Sequence, residues 1–266
     1  MNFFDFREPV NAWTHALWLI LSIPATFVLW RRCGADRSRR LSFLVFGLSL
    51  ACCYAGSALF HGVRVHDRSG LDVFDRIDHV GIFLLIAGSY TPIAWNMLQP
   101  RWRLGVLASA WGMAAVGSML YLSVGVLPPM VGTTIYLTMG WGAIFCYMEL
   151  SRFLPHRRLF PLVLGGVLYS VGAIINLMHW PILWPGVFGS HELFHVFVMA
   201  GSLAHYLFML NVVLPGMPAR VEPTPARAKA PTVSPIALVV KVTQPQKSWV
   251  SRLQFIWISS PHQAGR

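Results

Sequence analysis

The sequence predicts an all-α integral membrane protein built as a bundle of seven transmembrane helices. Three observations carry that prediction. Of 266 residues, 55% are hydrophobic and only 12% are charged, a balance foreign to soluble globular domains. Mean hydropathy is +0.56. The apolar residues are gathered into stretches of about 20, the length a helix needs to cross a bilayer. Loops at depth in lipid would leave backbone groups unpaired, so helices joined at the surfaces are the expected solution.

The stretches run 11–30, 41–61, 78–98, 104–122, 132–150, 159–178 and 191–214. The first opens on "EPVNAWTH", lacks a strongly positive leader and is followed by "WRRCGADRSRR", so it reads as a retained span and not a cleaved signal peptide. The second ends on "SALFH" and the third opens on "DRIDHVGIFLLIAGSYTP". The fourth and sixth carry small residues ("MAAVGSM", "LGGVLYSVGA") of the kind that let helices approach closely. The seventh opens on "HELFH". Trp and Tyr gather at several span ends, as interfacial belts do. The membrane domain is therefore read as 1–214. From Pro215 the chain turns rich in Pro and Ala ("PGMPARVEPTPARAKAPTVSP"), and 215–266 reads as a disordered cytoplasmic tail whose "LQFIWI" is too short to span. Three of the four cysteines lie in apolar segments and none shows C-x-x-C spacing, so they read as small buried hydrophobes.

Net charge is +11, and the bases sit between apolar runs or in the tail. That placement suits anionic headgroups and topology control and excludes a nucleic-acid-reading face. Of 21 Lys and Arg, 17 fall on one side: the 1–2, 3–4 and 5–6 connections and the tail. The N-terminus is therefore expected outside, and the tail inside, a cell membrane.

Ionisable groups inside spans are costly and usually mark a site. Residues four apart share a helix face, so His191 and His195 converge on one point, and Ser57 lies one turn from His61. Span 2 ends, and spans 3 and 7 begin, on the same membrane side, which puts His61, Asp78, His191 and His195 at one depth. Three neutral imidazoles with an open fourth position make a catalytic type of zinc site, and a nearby carboxylate can hold the zinc's water. Plainer roles compete. Asp78 can cap span 3, Ser57 can bond a backbone carbonyl, and Asn11 and His15 can bridge helices. His66, His79, His156, His179 and His205 read as interfacial or packing residues, and Tyr206 as an interfacial aromatic.

"HELFH" matches the H-E-x-x-H of zinc proteases, yet the protease reading fails. Val198 stands where the extended motif needs glycine, and Gly201 where it needs a third histidine. Beyond His195 the only acid is Glu222, in the tail. Glu192 lies about 100° round the helix from His191, and serves the helix start through the dipole, with Ser190 as N-cap. The third ligand must come from upstream, where His61 is the best candidate.

Over residues 7–213, "EPVNAWTH", "SALFH", "LDVFDRIDHVGIFLLIAGSYTP" and "HELFHVFVMAGSLAHY" together resemble the hemolysin III branch of the progestin and adipoQ receptor family. The resemblance implies seven helices and zinc held by His61, His191 and His195. It puts Asp78 at the position that contacts the zinc's water and Ser57 at the supporting serine. The wider superfamily includes alkaline ceramidases, which hydrolyse a lipid amide, and receptors that bind or report hormone. The expectations are thus a zinc hydrolase acting on a lipid amide or ester, with membrane lipids as partners; a receptor or sensor with structural zinc; or a cytolytic protein. The last suffers from the lack of a continuous polar stripe to line a pore.

Overall fold

The computed structural model describes residues 6–65 and 68–216. Within them the chain forms α1 (Pro9–Arg32), α2 (Arg37–Gly62), α3 (Arg68–Met97), α4 (Pro100–Val124), α5 (Pro129–Trp141), α6 (Ala143–Leu150), α7 (His156–Met178) and α8 (Ser190–Phe208). A π-helical turn, Met209–Val213, extends α8. Six helices are each long and apolar enough to cross a membrane. The fifth crossing is α5 and α6 in series. They are separated by Gly142 alone, which keeps right-handed helical angles (φ −53°, ψ −18°). The seven expected spans are present, with α7 the sixth and α8 the seventh. His66 and the tail beyond Gly216, including "LQFIWI", lie outside the described residues.

The surface explains the composition. Leu17, Ile20, Ile23 and Phe27 on α1, Val116 and Met119 on α4, and Phe160 on α7 all stand exposed. A water-soluble protein would hide so continuous an apolar surface, whereas lipid is its natural solvent. α3 is the central strut. It packs on α2, α4, α5, α6 and the π turn, and more of it is buried than of any other span.

Small residues set the closest approaches. A methyl group added at Gly81 would come within 2.8 Å of the Cys53 Cα, and one at Gly56 within 3.2 Å of the Ile77 carbonyl oxygen. The α2 and α3 backbones therefore meet along Cys53, Gly56, Ile77 and Gly81, which brings the end of α2 beside Asp78. On the other side of the bundle a methyl at Gly172 would come within 2.6 Å of the Phe197 Cβ, so α7 and α8 meet just as tightly. Several buried polar groups are paired across helices, which lowers the cost of burying them. Tyr54 and Ser202 share a 2.6 Å hydrogen bond, and the Trp18 indole donates to the same serine. Tyr206 donates to the Ala25 carbonyl oxygen, so it ties α8 to α1. Cys53 and Cys146 are buried, as expected of small hydrophobes; Cys52, read the same way, is exposed, and Cys33, outside the apolar runs, is buried.

The largest departure from the sequence reading is the start of α3. It begins at Arg68, ten residues before Asp78. Asp78 thus lies nearly three turns inside the helix and cannot cap it. The apolar count missed this turn-rich, charged stretch because Asp72, Asp75 and Arg76 dilute its hydropathy.

A candidate metal centre

α2 ends, and α8 begins, where α3 brings Asp78 and α1 brings its N-terminus. The rings of His61, His191 and His195 converge there. Their candidate ligand atoms all lie within 4.8 Å of one another, and ring centroids are 4.8–5.1 Å apart. His61 and His195 are buried. The Asp78 carboxylate stands 3.9 Å from His61 Nε2. Ser57, buried one turn before His61, interacts with the Asp78 carboxylate.

The second ring nitrogens explain the orientation. His61 Nδ1 lies 2.6 Å from Glu8 Oε2, and His191 Nδ1 lies 3.0 Å from Asn176 Oδ1. A carboxylate can only accept, so His61 donates its Nδ1 proton. Burial alone would raise the Glu8 carboxyl. The hydrogen bond from His61, with help from Asn11 and Arg7, outweighs it and holds the group down to about 2. Glu8 is accordingly ionised near neutral pH. With both Nδ1 atoms engaged, His61 Nε2 and His191 Nε2 face each other at 3.4 Å. Two lone pairs at that distance repel unless a cation lies between them. A metal bound at about 2.0–2.1 Å by two tetrahedral nitrogens requires very nearly this separation. The donor set therefore fits a metal ion: three imidazoles, buried, with outer acceptors fixing two of the tautomers.

Glu8 and Asn176 are the residues sequence reasoning passed over. Glu8 lies in "EPVNAWTH", where an acid at the mouth of a span is one of only ten in the chain; that rarity was a usable signal. Asn176 had none, because its partner is fixed only by α7 packing on α8. Asn11 was expected to bridge helices and does. It donates to Glu8 at 3.1 Å and to Glu192 at 2.9 Å, coupling α1 to α8. His15 also bridges, stacking on His195 with centroids 3.7 Å apart and standing edge-on to Tyr54. Glu192 turns away from the metal position toward the helix start, where it accepts from the Gly189 backbone N–H at 2.8 Å. Gly189 is the N-cap, and Ser190, expected there, is the first helical residue. The other histidines do stay apart: His205 packs on Tyr169, His156 bonds Tyr147, His179 ends α7, and His79 pairs with Asp75 at 3.0 Å.

Glu8→Gln should lower metal affinity about 10- to 100-fold, the usual cost of losing an outer-shell partner. Competition with a graded chelator measures it. Unchanged affinity would show that Glu8 does not orient His61.

Fold and site together define a seven-helix membrane protein with a trihistidine centre close to one end of the bundle. Residues 4–206 match the family model described as Haemolysin-III related, and the chain belongs to that family. It is 34% identical over 218 residues to "Hemolysin-3" of Bacillus cereus, covering 81% of this chain and 95% of that protein. It is 31% identical over 210 residues to "Hemolysin-3 homolog" of Bacillus subtilis (strain 168), covering 78% and 95%. A more distant relative, "Adiponectin receptor protein" of Drosophila melanogaster, is 27% identical over 226 residues, 75% of this chain and 49% of that one.

Proposed function

We propose that this protein is a zinc-dependent hydrolase that cleaves an amide or ester bond of a lipid lying among its helices. The observation that carries the reading is the donor set: three histidines, with a carboxylate 3.9 Å from one of them and no fourth ligand in the group among the described residues. Structural zinc is normally closed by four protein ligands, whereas catalytic zinc keeps a position open. Zinc, when bound, supplies a Lewis acid that polarises an acyl carbonyl and acidifies water. His61, His191 and His195 would hold it, with Glu8 and Asn176 aiming two of the rings. Asp78 would accept the proton of the attacking water and return it to the leaving group. Ser57 would keep the Asp78 carboxylate turned toward the centre. The lipid-facing helices would admit a substrate tail from the side and exclude bulk water.

The test begins with purified protein, a metal count, and a panel of lipid amides and esters assayed with and without chelator. Turnover that stops on chelation and returns with zinc is the expected result. A fully metallated protein inert across the panel would favour the second reading, a receptor or sensor with structural zinc. The similarity to a protein named as a receptor is what supports that alternative.

The same reading includes an orientation in the cell membrane. Outside the tail the basic residues divide ten to four, and Lys and Arg in short loops dominate insertion. The N-terminus and the trihistidine centre would face outward and the tail the cytoplasm, so the lipids met would be those of the outer leaflet. Reporters fused after Leu214 check this. Activity from a reporter that works only in the cytoplasm is expected; activity only from an externally active one would move the site to the inner face.

A further inference from the structure

Residues 179–189 join α7 to α8 at the end of the bundle that carries the histidines. The stretch reads "HWPILWPGVFG" and contains no Asp, Glu, Lys or Arg. Its backbone is folded back on itself. Trp184, Pro185, Gly186 and Val187 form a tight turn closed by the Val187 N–H, which donates to the Trp184 carbonyl oxygen at 3.0 Å. Gly186 supplies the positive φ of 77° that the third position of such a turn requires. Trp184 and Phe188 exchange two backbone hydrogen bonds of 2.8 Å, and the Leu183 N–H donates to the Phe188 carbonyl oxygen at 3.0 Å. The Gly189 N–H goes to Glu192. Pro181 and Pro185 have no N–H to satisfy.

The side chains point the other way. Trp180, Ile182, Leu183 and Trp184 are 62–69% exposed, and Val187 is 44% exposed. Water is a poor solvent for such a cluster. The cluster continues a surface that already faces lipid. Along α7, Phe160, Val163, Val167, Val171, Ile174 and Met178 are exposed. They recur every three or four residues, so they form one stripe of the helix. Met178 is the last helical residue, His179 turns the chain with a left-handed φ of 51°, and Trp180 follows at once. The exposed apolar surface thus passes from the stripe into the loop with no charged residue between them.

We propose that this loop is seated in the boundary between headgroups and acyl chains, in the leaflet on the trihistidine side. Trp suits that level, because an indole combines an apolar body with one N–H. A backbone that uses most of its own donors enters the boundary at little cost, while its carbonyl oxygens keep it from the hydrocarbon centre. Interfacial segments sink about 5–10 Å past the surface. The seat matters to the metal centre because both feet of the loop stand on it. Asn176, three residues before the loop, bonds His191 Nδ1, and Gly189, its last residue, is held by Glu192 beside His191. The inference rests on the fold and the exposed side chains, not on lipid hydrolysis.

The full chain reconstituted in phosphatidylcholine vesicles tests it by tryptophan fluorescence. The 11 tryptophans emit together, so the loop's share is the difference between wild type and Trp180→Phe/Trp184→Phe. These exchanges keep the loop apolar, and either one alone serves with a smaller signal. That share should be quenched by phosphatidylcholine brominated near the top of its acyl chains, and hardly by iodide present on both sides of the bilayer. Quenching by iodide and not by bromolipid would put the loop in water and overturn the proposal. Protection from both quenchers would mean that protein covers the loop, a second copy or another chain, and would overturn it equally. Quenching as strong or stronger from bromines at the chain ends would overturn the boundary level.

Discussion

His61→Ala is expected to empty the proposed metal centre. Purified wild-type protein is expected to carry about one zinc per chain, and the variant below about a tenth of that. The two nitrogens that remain, on His191 and His195, are donated by one face of one helix and hold a divalent ion weakly. The substitution also leaves Glu8 without its 2.6 Å partner, so the N-terminal segment loses its tie to α2 through that ring. His191→Ala and His195→Ala should lose zinc to the same degree. His205→Ala should not, since its ring packs on Tyr169 within the α7–α8 seam. Elemental analysis of monodisperse protein provides the count. Full zinc in His61→Ala would remove the upstream ligand, and with it the trihistidine centre.

The second large effect separates two carboxylates. Asp78→Asn should keep its zinc and lose about 10²- to 10⁴-fold in lipid hydrolysis, the contribution a positioned general base makes. The exchange is isosteric, and Asp78 is not among the converging ligand atoms, so binding and chemistry come apart. Glu192→Gln should keep both zinc and turnover. Its carboxylate serves Gly189 and Asn11, so the loss is about 1 kcal/mol of stability at the α8 start. Parallel zinc counts, melting curves and turnover numbers distinguish the outcomes. Should Glu192→Gln kill hydrolysis while Asp78→Asn does not, "HELFH" would be acting as a protease-type motif after all.

The membrane bundle was legible in the linear chain because bilayer thickness imposes a length and a composition on every span. The fifth span shows the limit of that argument. Residues 132–150 satisfied the hydropathy rule, while its interruption at Gly142 belongs to packing. The histidines were legible for a related reason. Helical period puts His191 and His195 on one face, and alternation of spans puts His61 at their level. Those two constraints are local and topological, and neither needs coordinates.

What the chain alone determined, then, is the class of fold, the side of the bundle that carries the site, and the three imidazoles. Tertiary structure alone decided how those imidazoles are held. Glu8 reaches His61 across 53 residues and Asn176 reaches His191 through an α7–α8 contact. Asp78 stands inside α3 beside His61, and is not a helix cap, because α3 starts at Arg68. Glu192 was drawn to Gly189 and Asn11, while Asn11 linked it to Glu8. Side-chain hydrogen bonds between distant helices depend on interhelical distances of a few ångströms. Those distances come from glycines such as Gly81 and Gly172 meeting the neighbouring helix, and periodicity along one helix carries no record of which partner each glycine meets.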